Sequence, residues 1–331
     1  MTMPVRPLGK SGRDTSIVGM GTWPIGGARY GTSDDREALD ALAAAIDAGV
    51  TLFDTAPSYG NGHAEELLGQ AIKGRRDDLL IVSKGGLVWD DASNVLGRDS
   101  SRDGLERNLD KSLARLQTDY LDVFMIHWPE TERNFEEVAE VLLSIKASGK
   151  AKSIGVSNFT GEQLRKLQGL VDPEPLVVNQ FSFSLFDTRW ANLNFDTCTE
   201  LGIGVMAYGP LAHGILAGAI TRETVFDERD WRLSGMIFGQ ALLTPENRET
   251  NLQVVDDLAE LAAEIGIKLP QLALAWVLHH APVSVALVGA RTAPEIADAV
   301  EAANVTLDDA ILARIDELAT RVAGRSNDVL T

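Results

Sequence analysis

Short apolar runs alternate with longer stretches of helical period along this 331-residue chain, and this alternation constrains its fold more than any other feature. The runs are mostly apolar throughout, as parallel strands covered on both faces are. The stretches between them carry apolar side chains every three or four residues, as core-facing helices do. The eight predicted strands are 16–21, 50–54, 79–84, 121–127, 152–157, 176–180, 203–208 and 284–289.

The repeating strand–helix unit predicts an α/β fold, a closed (β/α)8 barrel of the TIM type. No break in composition divides the chain, so we expect one domain over residues 1–331, with a hairpin region at 1–15. Two loops, 85–102 and 209–250, are longer than a barrel needs, which is typical of functional loops. An open doubly wound sheet is the alternative, but the glycines within 19–27 do not have its G-x-G-x-x-G spacing.

The formal net charge of −18 limits the partners of the chain. Such a surface repels nucleic acid and anionic membranes, so we predict neither as a partner, and an anionic ligand would need a locally positive site. The single cysteine, Cys198, has no partner for an internal disulfide, which favours a reducing, cytoplasmic compartment, and the first residues have no signal-peptide pattern. The uncharged run 269–290 contains Pro270 and Pro282, which predicts a buried helix, a turn and a strand rather than a membrane span.

Polar and ionisable side chains stand at the ends of the predicted strands. Because the carboxyl ends of barrel strands meet at one face, these side chains are expected to converge there. Any one of them alone is more often a salt-bridged or solvated residue, but the agreement of seven strand ends indicates a site. The strand-end residues are Asp54, Lys84, His127, Ser157–Asn158, Asn179–Gln180, Tyr208 and Gly289-Ala290-Arg291.

Tyr59 follows Asp54 by five residues, in a segment whose Pro57 and Gly60 predict a turn over the barrel mouth. It is either a loop anchor or a proton donor. A free phenol titrates near pH 10, and we expect the Lys84 ammonium, held by Asp54, to lower that pKa. His127 would hydrogen-bond the oxygen of a bound carbonyl, so the group predicts a carbonyl polarised by two donors.

Two other kinds of catalytic site have no support in the sequence. A serine hydrolase would carry G-x-S-x-G, which is absent. A metal site is not predicted, because the histidines form neither H-x-H nor H-E-x-x-H. They are His63, His127, His213, His279 and His280.

The chain resembles the aldo-keto reductases along nearly its whole length, and most of all their bacterial general-stress and potassium-channel-β-like branch. The segments that carry the resemblance are RPLGKSGRDTSIVGMGTWPIGG, DTAPSYGNGHAEELLG, IVSKGG, LDVFMIHWP, KSIGVSNF, VVNQFSFS, VMAYGPLAHGIL and LVGAR. The resemblance implies NADPH-dependent reduction of a small-molecule aldehyde or ketone, with Tyr59 as general acid. It implies a catalytic tetrad of Asp54, Tyr59, Lys84 and His127.

The resemblance also implies the cofactor contacts. Tyr208 would stack on the nicotinamide, and the residues that would hold its carboxamide are Ser157, Asn158 and Gln180. The pyrophosphate would meet the loop 209–250, with Arg232 as a clamp and with backbone groups of Gly209, Pro210, Leu211 and Gly214. Trp23 and Gly289 would also contact the cofactor, while Arg291 and Thr292 would meet the 2′-phosphate. The tryptophans predicted to wall the substrate pocket, with packing as the alternative, are Trp23, Trp89 and Trp128.

One departure from the family pattern concerns cofactor preference. Glu295 and Ala299 stand where the family often has a Gln or Arg and then an Asn. A carboxylate beside a 2′-phosphate is unfavourable, although residues 292–295 also have the form of a capping box. NADPH is the first choice because Arg291 is present, and NADH stays possible.

Two further functions stay open from the sequence. One is a cofactor-binding regulatory or sensing subunit with slow turnover, and the other is a sugar or polyol dehydrogenase working in the oxidative direction. No coiled-coil heptad or other dimer signal is present, so a monomer is the default and a homo-oligomer stays possible.

Overall fold

A short antiparallel hairpin closes the amino-terminal end of the protein in the structure, a computed structural model that describes residues 3–27, 30, 33–130 and 132–329. Strand β1 (Val5–Pro7) pairs with β2 (Asp14–Ser16). The turn between them inserts Leu8 into the core of the barrel. The Ser284 hydroxyl donates to the Pro7 carbonyl at 2.8 Å, so this end is sealed and a ligand has to enter from the opposite end.

Eight parallel strands form the predicted closed barrel, in sequential order around it. Their side chains fill the interior with aliphatic groups, among them Val82, Met125 and Met206. The strands are β3 (Val18–Gly21), β4 (Leu52–Asp54), β5 (Leu80–Gly85), β8 (Leu121–Ile126), β9 (Ala151–Ser157), β10 (Leu176–Ser182), β11 (Gly204–Tyr208) and β12 (Val283–Gly289). A second hairpin, β6 (Leu87–Trp89) with β7 (Val95–Arg98), occupies the long loop after β5.

Helices surround the barrel and pack on it through their apolar faces. Several of these helices have N-terminal caps. The Asp34 carboxylate accepts two backbone N–H groups at the start of the first helix, and Thr160 and Gln163 form a capping box at the start of the helix that begins at Gly161. The helices are α1 (Asp35–Asp47), α2 (His63–Ala71), α3 (Arg102–Leu116), α4 (Phe135–Ala147), α5 (Gly161–Val171), α6 (Arg189–Leu201), α7 (Pro245–Glu264), α8 (Leu269–His279), α9 (Ala293–Glu301) and α10 (Asp309–Ala319).

For two helices the apolar pattern of the sequence is incomplete: one helix shows no clear pattern, and the other begins before its pattern does. The sequence of helix α6 shows no clear stripe of apolar residues, because its buried face also carries polar side chains, Asn194 and Thr197 among them. Helix α7 begins at Pro245, so the loop after β11 ends near residue 244 rather than 250. Its first two turns are charged and exposed on most sides, which hides their helical period.

The uncharged run 269–290 forms α8, a turn and β12, as predicted. Within the described ranges no single helix is long and apolar enough to cross a membrane. Only α7 and α8 taken together, bent by 88°, pass that test by length and composition.

Candidate active site

Lys84 is the centre of a buried hydrogen-bonded cluster at the carboxyl end of the barrel. Its Nζ donates to both carboxylate oxygens of Asp54 at 2.8 Å, to the Tyr59 hydroxyl at 3.2 Å and to the carbonyl oxygen of Thr55 at 3.0 Å. The Lys84 side chain is fully buried and that of Asp54 is 5% exposed. Removal of either charge would leave the other unpaired in a low-dielectric site, so the pair fixes both side chains and the phenol beside them.

The turn after β4 brings Tyr59 to this cluster. Asp54 is the last residue of β4, and Tyr59 begins a short 3₁₀ turn, Tyr59–Gly62. Gly60 has φ 60°, and a Cβ there would lie 2.0 Å from the carbonyl oxygen of Gly26, so only glycine allows this approach. The contact holds the turn against the segment that carries Trp23, whose ring stacks on that of Tyr59 at 6.0 Å.

His127 lies beside Tyr59 as a neutral ring. It follows β8 directly, and its backbone N–H donates to the Gly85 carbonyl at 2.9 Å. The ring meets the Tyr59 ring edge to face, with centroids 5.9 Å apart. Burial, and then the Lys84 charge, hold the pKa of His127 well below its usual value, so the imidazole carries a single N–H that can donate. The structure thus brings the four predicted tetrad residues together.

The expected lowering of the Tyr59 pKa is wrong for the protein as it stands. Burial and then the nearby Asp54 carboxylate raise the pKa of Tyr59 well above its usual value. Burial also lowers the pKa of Lys84, and the Asp54 carboxylate opposes that shift. The phenol is therefore fully protonated at neutral pH. It can donate a proton, but it is a poor base.

A polar network joins the tetrad to residues predicted to hold the nicotinamide carboxamide. Gln180 donates from Nε2 to Asp54 Oδ1 at 2.7 Å, a contact that sequence reasoning missed. The Ser157 hydroxyl donates to the Gln180 carbonyl at 2.9 Å, and Asn158 Nδ2 donates to Ser157 Oγ at 2.9 Å. Tyr208 donates from its hydroxyl to Asn158 Oδ1 at 3.1 Å. Because Gln180 lines the cavity and its side-chain amide bonds Asp54 directly, a group bound to that amide would be coupled to the tetrad.

These residues line one cavity of about 960 Å³. That volume is near the upper end of the range for ligand sites, about 300–1,000 Å³. The predicted site residues on its wall are Trp23, Asp54, Tyr59, His127, Trp128, Ser157, Asn158, Gln180, Tyr208, Gly209, Pro210, Leu211, Gly214, Arg232, Gly289, Arg291 and Glu295. Lys84 lies behind Asp54 and Tyr59, while Trp89 and Thr292 are not among the lining residues.

Trp89 therefore does not occupy the predicted place in the substrate pocket. It lies on β6, and its indole N–H donates to Asn61 Oδ1 at 3.0 Å, which fastens the hairpin to the turn after Tyr59. Trp128 lines the cavity directly beside His127, and Trp23 lines it on the other side of Tyr59. Regular alternation along β6 would place Trp89 on the same face as Leu87, which lines the cavity, but the pairing of β6 with β7 shifts its register between Val88 and Trp89. The spacing of aromatic residues does not reveal such an irregularity.

The loop after β11 folds back over the cavity and contributes aromatic residues that sequence reasoning missed. The Trp231 ring stacks on Trp23 at 5.7 Å, and Phe238 stacks on His213 at 4.9 Å. His213 Nδ1 is 3.1 Å from the hydroxyl of Tyr30. We call Tyr30, His213, Trp231 and Phe238 the aromatic cover. Three of the four lie in the loop 209–250, and no local pattern in the sequence indicates which of its aromatic side chains face the cavity.

Features of this wall fit an elongated anionic cofactor. Gly209 and Gly214 both line the cavity and have positive φ, and a Cβ on Gly209 would lie 2.7 Å from the His213 ring, so the backbone packs closely against that ring. Two buried polar atoms on this wall, His213 Nε2 and Trp231 Nε1, have no hydrogen-bond partner among the described residues. Arg291 at the far end forms no ion pair with a described residue. These donors and this cation supply the locally positive site that the acidic chain lacks elsewhere.

The other two residues predicted near phosphate groups already have partners. Arg232 donates to both carboxylate oxygens of Asp230, at 2.9 and 2.6 Å, and to the carbonyl oxygen of His213 at 3.0 Å. Glu295 forms a capping box with Thr292, and its Oε2 also accepts the backbone N–H of Arg291 at 2.7 Å. The carboxylate of Glu295 is thus occupied with the start of α9, while Arg291 is free to meet an anion.

Comparison with known proteins agrees with this geometry. The model of the aldo/keto reductase family matches residues 17–320, and the chain therefore belongs to that family of oxidoreductases. It is 36% identical over 287 residues to the aldo-keto reductase YhdN of Bacillus subtilis, covering 86% of this chain and 84% of the relative. It is 32% identical to the NADH-specific methylglyoxal reductase of Escherichia coli, covering 95% and 97% of the two chains.

A solved structure supports the fold assignment. The glycerol dehydrogenase AKR11B4 from Gluconobacter oxydans superposes with a TM-score of 0.85 at 31% identity, covering 98% of this chain and 97% of that one. This similarity extends over nearly the whole of both chains.

Proposed function

We propose that this protein reduces small aldehydes or ketones to alcohols with NADPH, and that Tyr59 is the general acid. The observation that supports this most strongly is the position of Lys84, which donates to Asp54 and to the Tyr59 hydroxyl within one buried cluster on the cavity wall. When bound, a reduced nicotinamide would supply the hydride. Tyr208, Ser157, Asn158 and Gln180 are the residues that would hold its ring and carboxamide.

The residues of the chain then act on the substrate oxygen. Tyr59 and the neutral His127 donate hydrogen bonds to the carbonyl oxygen, which polarises the carbonyl and stabilises the negative charge that develops there. Tyr59 then transfers its proton to that oxygen. The adjacent Lys84 ammonium stabilises the resulting phenolate, and Asp54 holds the ammonium in place. Tyr59 regains its proton from solvent after the product has left.

The protonation state of Tyr59 favours the reductive direction near neutral pH. Oxidation of an alcohol requires the phenolate as base, and the raised pKa of Tyr59 keeps that form scarce. The pKa of His127 is lowered and that of Tyr59 is raised, so neither group changes its charge at a pH that lies between these two pKa values. We expect kcat for reduction to stay flat from about pH 6 to 9, while alcohol oxidation rises with pH across the same range.

The test of the proposal is the Tyr59→Phe variant, with methylglyoxal as the first substrate because it is the substrate named for a relative. We expect a loss in kcat of about 100- to 10,000-fold, with NADPH binding unchanged. Tyr120→Phe removes a hydroxyl that bonds Asp77 outside the cavity, and serves as the matched control. Equal rates for Tyr59→Phe and wild type would refute the proposal.

The cofactor preference rests on Arg291, whose guanidinium is exposed at the cavity edge without an ion pair among the described residues. Guanidinium groups bind phosphate through two parallel hydrogen bonds, so we expect NADPH to bind at least about tenfold more tightly than NADH, or roughly 1.4 kcal/mol. Titration of both cofactors into wild type and Arg291→Ala, followed by tryptophan fluorescence, measures this difference. Equal affinity of wild type for the two cofactors would contradict it.

A further inference from the structure

Arg98 is a cation on the wall of the cavity that the proposed mechanism does not use. It ends β7 and lies across the hairpin from Leu87, whose side chain lines the same cavity. One guanidinium nitrogen, Nη1, donates to the Pro129 carbonyl, and the group sits 5.5 Å from the centre of the Trp128 ring. These contacts leave Nε and Nη2 without a hydrogen-bond partner among the described residues.

The acidic groups around Arg98 are engaged elsewhere. Glu130 is the acidic residue that acts on it, but its Oε2 already accepts the backbone N–H of Ser100 at 2.6 Å and Nε of Arg133 at 2.8 Å. Asp99 interacts with Arg107 and Arg133 instead. In the described part of the chain, no carboxylate oxygen lies within ion-pair distance of the Arg98 guanidinium. Its charge is therefore available to a molecule in the cavity.

Ser93 gives a second, independent indication of a ligand at this wall. It lies in the tip of the same hairpin, with φ 62°, and lines the cavity. The residue is only 6% exposed, and its buried hydroxyl has no hydrogen-bond partner among the described residues. A buried hydroxyl without a partner is costly, so a polar group of a bound molecule is the natural acceptor.

We propose that Arg98 and Ser93 form an anion subsite, and that the preferred substrates are aldehydes with a carboxylate or phosphate group a few bonds from the carbonyl. This rests on the proposed function. Trp128 follows His127 directly in the chain, and both line the cavity together with Tyr59 and Arg98, so a molecule bound at the Arg98 guanidinium shares the cavity with the two proposed donors. The other cavity arginines act elsewhere: Arg232 is paired with Asp230, and Arg291 lies at the opposite end.

The chemistry of the subsite suits an anion on a small substrate. Packing against Trp128 and the bond to Pro129 orient the guanidinium, so little conformational freedom is lost when an anion binds. The net charge of −18 repels anions from most of the surface, and a partly buried cation at the pocket offsets this locally. A neutral aldehyde would gain nothing from Arg98.

The test compares pairs of aldehydes that differ in charge. Succinic semialdehyde is paired with butanal, and glyceraldehyde 3-phosphate with glyceraldehyde, in assays of wild type, Arg98→Met, Arg98→Lys and Ser93→Ala. We expect wild type to favour the anionic member of at least one pair about tenfold in kcat/KM, and Arg98→Met to lower kcat/KM for that member about 10- to 100-fold. Arg98→Lys retains part of the preference. The pair that responds tells whether carboxylate or phosphate is the group bound.

Arg102→Met is the matched control, because Arg102 has the same charge four residues further on, pairs with Glu106 and does not line the cavity. Equal use of charged and neutral aldehydes by wild type would overturn the subsite, and so would equal losses for both members of a pair in Arg98→Met. If Arg98→Met does not fold, the subsite is judged from kcat/KM of wild type and of Ser93→Ala for the charged and the neutral member of each pair. Should wild type reduce none of the four aldehydes, or should Tyr59→Phe be as active as wild type, the proposed function itself would fail.

Discussion

The cavity has two walls of different construction. On one side are the tetrad residues Asp54, Tyr59, Lys84 and His127, which are carried by strand ends or by a short turn next to one. On the other is the aromatic cover of Tyr30, His213, Trp231 and Phe238, three of which come from the loop between β11 and α7. Both walls are largely buried, but they are stabilised by different interactions.

Hydrogen bonds to charged groups fix the tetrad, whereas stacked rings fix the cover. Both carboxylate oxygens of Asp54 accept from the Lys84 ammonium. In the cover, His213 and Phe238 adopt positive φ, and His213 Nε2 and Trp231 Nε1 have no partner among the described residues. Strained backbone and unpaired polar atoms are typical of segments that are completed by a ligand. This difference supports the proposal that the first wall carries out the chemistry, and we infer that the second retains the ligand.

The largest effect is expected from Lys84→Met. Without the ammonium, Asp54 is a buried charge without a counter-ion, so the free energy of unfolding falls by about 3–5 kcal/mol. Activity falls at least about 100-fold, because the phenolate of Tyr59 loses its stabilising charge. Urea unfolding and kcat measure the two effects. The double variant Asp54→Asn with Lys84→Met should regain most of the stability but none of the activity; if it does not, the pair is not the source of the loss.

A smaller and different effect is expected from Trp231→Ala. This change removes the ring that stacks on Trp23 over the cavity, so the dissociation constant for NADPH rises about tenfold, or roughly 1.4 kcal/mol. At saturating NADPH, kcat changes less than about threefold, because the tetrad is untouched. Trp89→Ala, outside the cavity, leaves the dissociation constant unchanged. A fall in kcat comparable to that of Lys84→Met would remove the distinction between the walls.

His213 makes the cover sensitive to pH. Burial lowers the pKa of His213 to about 4, from a usual value near 6.5. Because the folded state binds this proton less tightly than the unfolded state, stability is fully present above pH 6.5 and is lost as the pH falls from 6.5 towards 4. Between pH 7.5 and 5, we expect the free energy of unfolding of His213→Gln to fall less than that of wild type, by on the order of 1 kcal/mol. Identical pH profiles of unfolding would exclude this role. Because His127 is present in both wild type and His213→Gln, its contribution to the pH dependence cancels in the comparison.

The smallest expected effect concerns Glu295, which caps α9 beside Arg291. In Glu295→Gln, the amide oxygen can still accept the backbone N–H groups of Arg291 and Thr292, so the free energy of unfolding changes by less than about 0.5 kcal/mol. Loss of the negative charge should tighten NADPH binding two- to threefold at most, by about 0.5 kcal/mol, without changing NADH binding. A larger gain for NADPH would mean that Glu295 opposes the 2′-phosphate directly.

The predictability of each part follows from how it is encoded. The strands and most helices could be predicted, because their apolar period is local in the sequence, as in the leucine stripe of 103–116. Asp54, Lys84 and His127 could be predicted as neighbours because barrel strands end at a common face. The direction of the Tyr59 pKa shift could not, since it depends on how completely surrounding residues exclude water from the phenol.

The sequence by itself thus determined the barrel and the family, and it predicted the four residues of the proposed tetrad. These features depend on the order of elements and on residue types at strand ends. Only the tertiary structure decided that Gln180 bonds Asp54, that Trp89 lies outside the cavity, and that Arg98 lines it without an ion pair, and Ser93 without a partner for its hydroxyl, among the described residues. Such contacts join residues far apart in the chain and depend on loop conformation, which has no periodic pattern to reveal it.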